Sequence, residues 1–224
     1  MLRLAVLASG TGSNFRAILE HIREGRINAE IALLLCNVPD APALNIAKDA
    51  GISVWAADHK SYPSRSAFDK AMVEAMRAAR VEAVILAGYM RILSPGFIQA
   101  YSGRILNIHP SLLPAFPGAH GADDALAYGV KFTGCTVHFV VEEMDAGAII
   151  IQAALPVQDG DTRETLMPRV HALEHRIYPQ AVAWLASGRL TLEGRTVHLA
   201  PTSPAVQAAP VAHALVNPPL EVGF

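Results

Sequence analysis

Short apolar runs that end abruptly and alternate with helical spacing constrain this chain more than any other feature. LRLAVLA at 2–8, AEIALLL at 29–35, residues 52–55 and EAVILA at 82–87 each read as a strand. They lack the alternation of a sheet with one wet face. Between them, NFRAILEHIREG places Phe15, Ile18, Leu19 and Ile22 at helical spacing, and further helical stretches fall near 41–50 and 64–80. Strands that are apolar on both faces and separated by helices predict a parallel sheet covered on both sides.

The grammar changes after RILNIH at 104–109. TGCTVHFVV at 133–141 and AIIIQAALP at 148–156 are joined by a short acidic loop, which predicts an antiparallel pair. The expected fold is therefore α/β: a Rossmann-like, mixed, mostly parallel sheet with helices on both faces. A long helix is expected near 162–187, with Pro168 and Pro179 as kinks or breaks. RLTLEGRTVHL at 189–199 reads as a hairpin turning at Glu193-Gly194. With 224 residues, 52% of them hydrophobic, one principal domain over 1–200 is expected, its halves meeting near 103–104. Residues 201–224 carry five prolines and a single charge, Glu221, and read as a tail that wraps the surface or stays mobile.

Eighteen basic against twenty acidic residues give a net charge of -2 with no block of like charge, so neither nucleic acid nor an anionic membrane is an expected partner. Small molecules are. Cys36 and Cys135 lie inside apolar runs without a CxxC partner, which fits a reducing cytoplasm and implies no zinc site or disulfide framework. The apolar core of LRLAVLASG is too short for a signal peptide, and no apolar run is long enough to span a bilayer.

Four segments could carry chemistry. Ser9-Gly10-Thr11-Gly12-Ser13-Asn14 combines glycines, hydroxyls and a helix N-terminus, a setting for a phosphate and equally for a plain helix cap. A dinucleotide fingerprint fails, because position 15 is Phe and Cys36-Asn37 ends the second strand where an acid would stand. In AGYMRILSPGF, Met90, Ile92 and Leu93 would wall a flat aromatic ligand or fill the core. Asn107 and His109 fall at the carboxyl end of the fifth strand, where open α/β sheets bind ligands, and as i and i+2 they project to one side. An amide and an imidazolium so placed can both donate to an oxygen gaining negative charge, with Pro110, Pro114 and Pro117 stiffening the loop that follows. Asp145, in EEMDAG, is the carboxylate best suited to pair with that imidazolium, although Asp-Ala-Gly also suits a simple turn. No G-x-S-x-G occurs, and His171 and His175 lack the Glu-x-x context of a metalloprotease helix, so neither a serine nucleophile nor a metal is expected.

SGTGSN, GYMRILSP, NIHPSLLPAFPG, GCTVHFVVEEMDAG and ALEHRIYP resemble, in the same order, segments of the phosphoribosylglycinamide formyltransferases, and the chain resembles that family from about residue 2 to 190. The resemblance implies a fold of the formyltransferase type. Its first half would bind the nucleotide, and its second half would carry folate contacts and catalysis. It implies transfer of a formyl group from 10-formyltetrahydrofolate to the amine of glycinamide ribonucleotide in purine synthesis, in the cytoplasm, by a monomer or homodimer without a metal. Asn107, His109 and Asp145 match the family's catalytic trio; Gly12, Ser13, Asn14 and Glu174 match its ribonucleotide contacts; Arg65, Met90, Arg91, Ile92, Leu93 and Asn107 match its folate contacts. One departure lies after PGAH, where the family often has a second histidine and this chain has Gly121-Ala122. Three rivals differ in what they require. A formyltetrahydrofolate deformylase would carry an N-terminal regulatory domain ahead of the first strand, and a methionyl-tRNA formyltransferase would add a basic C-terminal domain. A non-catalytic nucleotide-binding module would not need His109 at all.

Overall fold

Leu4, Ala5, Val6, Leu7 and Ala8 have no solvent exposure, which is why positions 4–8 of the first run are all apolar. They form strand β1 (Leu2–Ala8), which pairs in parallel with β2 (Ala29–Cys36) on one side and β4 (Ala83–Leu86) on the other. A computed structural model describes residues 1–201 and 211–224 of the chain. The short β3 (Val54–Ala56) extends the parallel ladder beyond β2, and β5 (Ile105–His109) extends it beyond β4. β6 (Phe132–Phe139) and β7 (Ile149–Pro156) pair antiparallel, and β10 (Leu215–Asn217) adds antiparallel to β7. The hydrogen-bonded order β10-β7-β6-β5-β4-β1-β2-β3 is a mixed, mostly parallel sheet, as the apolar runs predict.

The chain divides into two compact units. The first comprises Met1–Asn107 with Val140–Glu142. Its core places Ala5 and Leu7 of β1, Leu33 and Leu35 of β2, and Val84 and Leu86 of β4 against Phe68, Met72 and Met76 of helix α3 (Arg65–Ala78) and Phe97 of α4 (Pro95–Ala100). Those strand positions share one face by the two-residue period. Helices α1 (Ser13–Arg23) and α2 (Ala43–Asp49) also lie against β2, with Phe15 and Ile18 of α1 wholly buried. Ser64 caps α3 by accepting from the N–H of Ala67.

The second unit comprises Ile108–Phe139 with Glu143–Phe224. Helix α6 (Arg163–Ala186) packs on β6 and β7 and meets α5 (Gly121–Tyr128). A capping box between Thr162 and Thr165 starts α6. The expected breaks at Pro168 and Pro179 do not occur: both prolines lie inside one continuous helix. Pro179 is buried on it between Tyr178 and Gln180, so tertiary packing holds the helix through the lost N–H. The hairpin β8 (Leu190–Glu193) to β9 (Thr196–Leu199) turns at Gly194-Arg195, one residue later than the composition suggests, with Gly194 at φ +61°.

Two short helices, α4 and α5, have too few turns to show a period and were not expected from the pattern. Of the proline-rich tail, the stretch 202–210 lies outside the described residues, whereas 211–224 contains a strand and a buried residue, Leu220. Among the described residues, no helix is long and apolar enough to cross a membrane.

Candidate active site

In the first unit, the loop after β1 is built around Ser9. Its hydroxyl donates to Asn37 Oδ1 (2.6 Å) and accepts from the N–H of Met90 (2.9 Å), while its own N–H donates to the Gly88 carbonyl (3.0 Å). One side chain thereby ties together the loops that follow β1, β2 and β4, at the carboxyl ends of parallel strands. Gly12 is the N-cap of α1 at φ +75°, and a Cβ there would stand 2.9 Å from Ala43 Cβ. Both the left-handed backbone and the close approach of α2 require glycine. Ser13 and Asn14 then open the first turn of α1, where backbone N–H groups have no helical acceptor. Phe15, which broke the dinucleotide pattern, is a core residue with no exposure.

The segment 88–94 resolves the two readings of its apolar residues by splitting them. Met90 and Ile92 are 72% and 58% exposed, while Leu93 is buried in the core under α3 and α4. Arg91 lays its guanidinium 5.0 Å from the Phe68 ring centroid, a cation–π stack. Asp69, 1% exposed, accepts the N–H of Ser94 (2.6 Å) just before the proline that begins α4. Burial, with Asp69 as the second cause, raises the Tyr89 phenol well above its ordinary value. Arg65, the first residue of α3, is exposed.

The second unit gathers its polar groups around Asp145. His109 ends β5 and is 4% exposed. Its Nδ1 lies 3.5 Å from Asp145 Oδ2, at ion-pair distance, and its Nε2 lies 2.9 Å from the carbonyl of Phe116. Both ring nitrogens thus face oxygen acceptors. Asp145 takes a left-handed backbone (φ +54°), as a turn residue would, and its Oδ2 also accepts the N–H of Gly118 (2.7 Å). Phe116, at φ +53°, is a second non-glycine residue in that sparsely populated region. Asn107 stands two residues before His109 on β5, on the same side of the strand. Glu174 is buried on α6, where its charge joins burial, the larger cause, in pushing the Cys135 thiol up.

Within the segment where the second histidine is missing, position 121 itself is sterically confined. A Cβ on Gly121 would stand 3.0 Å from both His109 Nε2 and the Phe116 carbonyl, so α5 begins hard against the imidazole.

His138 is the residue that sequence reasoning passed over. It is 2% exposed on β6, and its Nε2 is 3.8 Å from Asp145 Oδ1, opposite the carboxylate oxygen that faces His109. Its Nδ1 donates to the Phe139 carbonyl (2.8 Å). Thr136 and His138 are polar residues at period two, alternating with the apolar Cys135, Val137 and Phe139, and that spacing was the available signal. Burial lowers the His138 pKa from 6.5, outweighing the attraction of Asp145. The unfolded chain therefore takes up this proton at a higher pH than the folded one. Stability from this group is complete above pH 6.5 and is lost as pH falls through that value toward the lower folded pKa. Replacing His138 with Gln should flatten the acid limb of a plot of unfolding free energy against pH below 6.5, measured by urea titration.

His171 and His175 stack on α6 with ring centroids 6.3 Å apart; among the described residues no group of three or more His, Cys, Asp or Glu is arranged to hold a metal ion.

A family model described as formyl transferase matches residues 2–182. The chain belongs to the formyl transferase family. It is 46% identical over 185 residues to a phosphoribosylglycinamide formyltransferase of Bacillus subtilis, covering 83% of this chain and 95% of that protein. Its structure is similar to that of glycinamide ribonucleotide transformylase 1 from Symbiobacterium toebii, with a TM-score of 0.87, 51% identity, and 89% and 94% of the two chains covered. It is also 47% identical over 190 residues to the bovine trifunctional purine biosynthetic protein adenosine-3, where the match covers 85% of this chain but only 19% of the longer protein.

Proposed function

We propose that this chain transfers the formyl group of 10-formyltetrahydrofolate to the amine of 5-phosphoribosylglycinamide. The observation that carries this reading is the buried His109–Asp145 pair at the carboxyl end of β5, in a chain similar over most of its length to proteins named for that transfer. The substrates are small molecules, and no metal takes part.

The reaction needs no covalent enzyme intermediate. The amine nitrogen attacks the formyl carbon, a C–N bond forms, and the carbonyl oxygen becomes an oxyanion. Asn107 and His109 donate to it, and Asp145 keeps the imidazole oriented and charged. His109 Nε2 reaches the oxyanion by exchanging the Phe116 carbonyl for it. Collapse then breaks the bond from the formyl carbon to the folate nitrogen, which receives the proton lost by the amine. Gly12, Ser13 and Asn14 bind the ribonucleotide phosphate, with the α1 N-terminus complementing its charge. Glu174 serves the ribonucleotide. The folate is taken by Arg65 and by segment 90–93, where Met90 and Ile92 present apolar surface and Arg91, committed to Phe68, presents main chain.

The deciding assay supplies 10-formyltetrahydrofolate with and without the ribonucleotide and follows release of tetrahydrofolate. Release that requires the ribonucleotide is the expected result. Release at the same rate without it would make the chain a hydrolase, and no release in either case would make it a binding module.

A further inference from the structure

The tail beyond the family match meets the rest of its unit at an informative place. β7 would be an exposed strand edge without it; instead Leu215, Val216 and Asn217 pair with Ala154, Ala153 and Gln152. The chain is then anchored by Leu220, which is 4% exposed, and by Gln180, which has no exposure. Gln180 donates to the Pro219 carbonyl (3.2 Å) and accepts the N–H of Glu221 (2.6 Å). Glu221 pairs with Arg189 at 2.8 Å.

The paired edge residue Gln152 leads toward His109. Its Nε2 donates to the Leu113 carbonyl and to Thr136 Oγ1, both at 2.9 Å. Thr136 Oγ1 also accepts from the N–H of Leu113 (3.1 Å) and donates to the Ser111 carbonyl (2.7 Å). Ser111 Oγ in turn reaches the carbonyls of Ala115 (2.6 Å) and Phe116 (3.2 Å), and Phe116 is the acceptor opposite His109 Nε2. Every link is a hydrogen bond within one compact unit. Leu112 and Leu113 also share the walls of a cavity of about 440 Å³ with Leu215, Val216 and Asn217.

We propose that residues 215–221 are a strap for the loop 110–118: by completing the β7 edge they hold Gln152 against Leu113 and so position the segment that faces His109. The strap consists of positioning residues and touches no substrate. The proposal rests on the formyl-transfer reading for its kinetic readout only.

The test is Leu220→Asp in the full chain, with Leu220→Met as the conservative control. Hydrogen exchange should accelerate at the amides of 152–154 and, with them, at 111–118; Leu220→Met should leave both protected. The kcat should fall about tenfold with KM for both substrates within about twofold, a coupling of the usual size between linked sites. In a Gln152→Ala background the same substitution should lower kcat no further, because the link is already cut. If Leu220→Asp does not fold, Val216→Pro breaks the pairing with the anchor left in place. Faster exchange at 152–154 with 111–118 unchanged would overturn the strap, whatever the kinetics. Faster exchange in both segments in a chain without transferase activity would uphold the strap and reject the assigned reaction.

Discussion

His109→Ala should lower the kcat of formyl transfer by about 10²–10³-fold, the usual cost of deleting one oxyanion donor. The geometry makes this site sensitive for a particular reason. The imidazole is 4% exposed and enclosed on both nitrogens, by Asp145 Oδ2 at 3.5 Å and the Phe116 carbonyl at 2.9 Å, so no water can take over its role without rebuilding that shell. With Asp145 holding the ring at Nδ1, the proposed role asks Nε2 only to exchange the Phe116 carbonyl for the formyl oxygen as that oxygen becomes charged. Removing it also takes one partner from the largely enclosed carboxylate of Asp145, which keeps the Gly118 N–H and His138, so some loss of stability should accompany the loss of rate. Steady-state kinetics with a thermal midpoint on the same preparation separate the two. The expected pattern is a large drop in kcat, small changes in KM for both substrates, and a folded protein. A folded variant that retains full kcat would show that His109 is not the donor.

Gly147→Ala should be the most damaging single methyl in the second unit. A Cβ at position 147 would lie 1.6 Å from the Phe139 carbonyl oxygen and 2.7 Å from its carbon, distances that no rotamer relieves because the obstacle is backbone. The same carbonyl accepts from His138 Nδ1, and the Phe139 N–H donates to the Ala148 carbonyl at 2.9 Å, so relief would dismantle the junction of β6 and β7. The expected cost is about 4 kcal/mol or more, at the severe end for single substitutions and a large share of an ordinary domain's stability. Gly10→Ala is the matched control, since a Cβ there meets nothing within 4 Å and it should change stability by less than about 0.5 kcal/mol. Denaturant midpoints of the two variants measure the difference. Equal midpoints would mean that the approach of residue 147 to Phe139 is not maintained in solution. Because Asp145 lies two residues before the clash, any folded Gly147→Ala protein should also lose transferase activity.

The polar residues of the site differ in how visible they were along the chain. Asn107 and His109 could be paired from spacing alone, because a strand's period fixes which side chains share a side before any packing is known. The parallel strands were visible for a similar reason: burial on both faces forbids polar residues, and β1, β2 and β4 have almost none. Met90, Ile92 and Leu93 were ambiguous because apolarity does not say whether a side chain points into the core or toward a ligand. The packing of α3 and α4 took Leu93 and left the other two outside. Pro168 and Pro179 do not break α6, because local propensity is overruled by burial of one face of the helix.

By itself the sequence determined the alternation of strands and helices, the switch to an antiparallel pair after residue 109, and the placing of an amide and an imidazole at a strand's end, since each depends on short-range periodicity. Only the tertiary structure decided which carboxylate faces His109, that His138 shares it, and that the tail's last residues complete the β7 edge. Those are contacts between segments distant along the chain, and they are selected by burial and hydrogen-bond satisfaction after folding, for which no local pattern in the sequence is required.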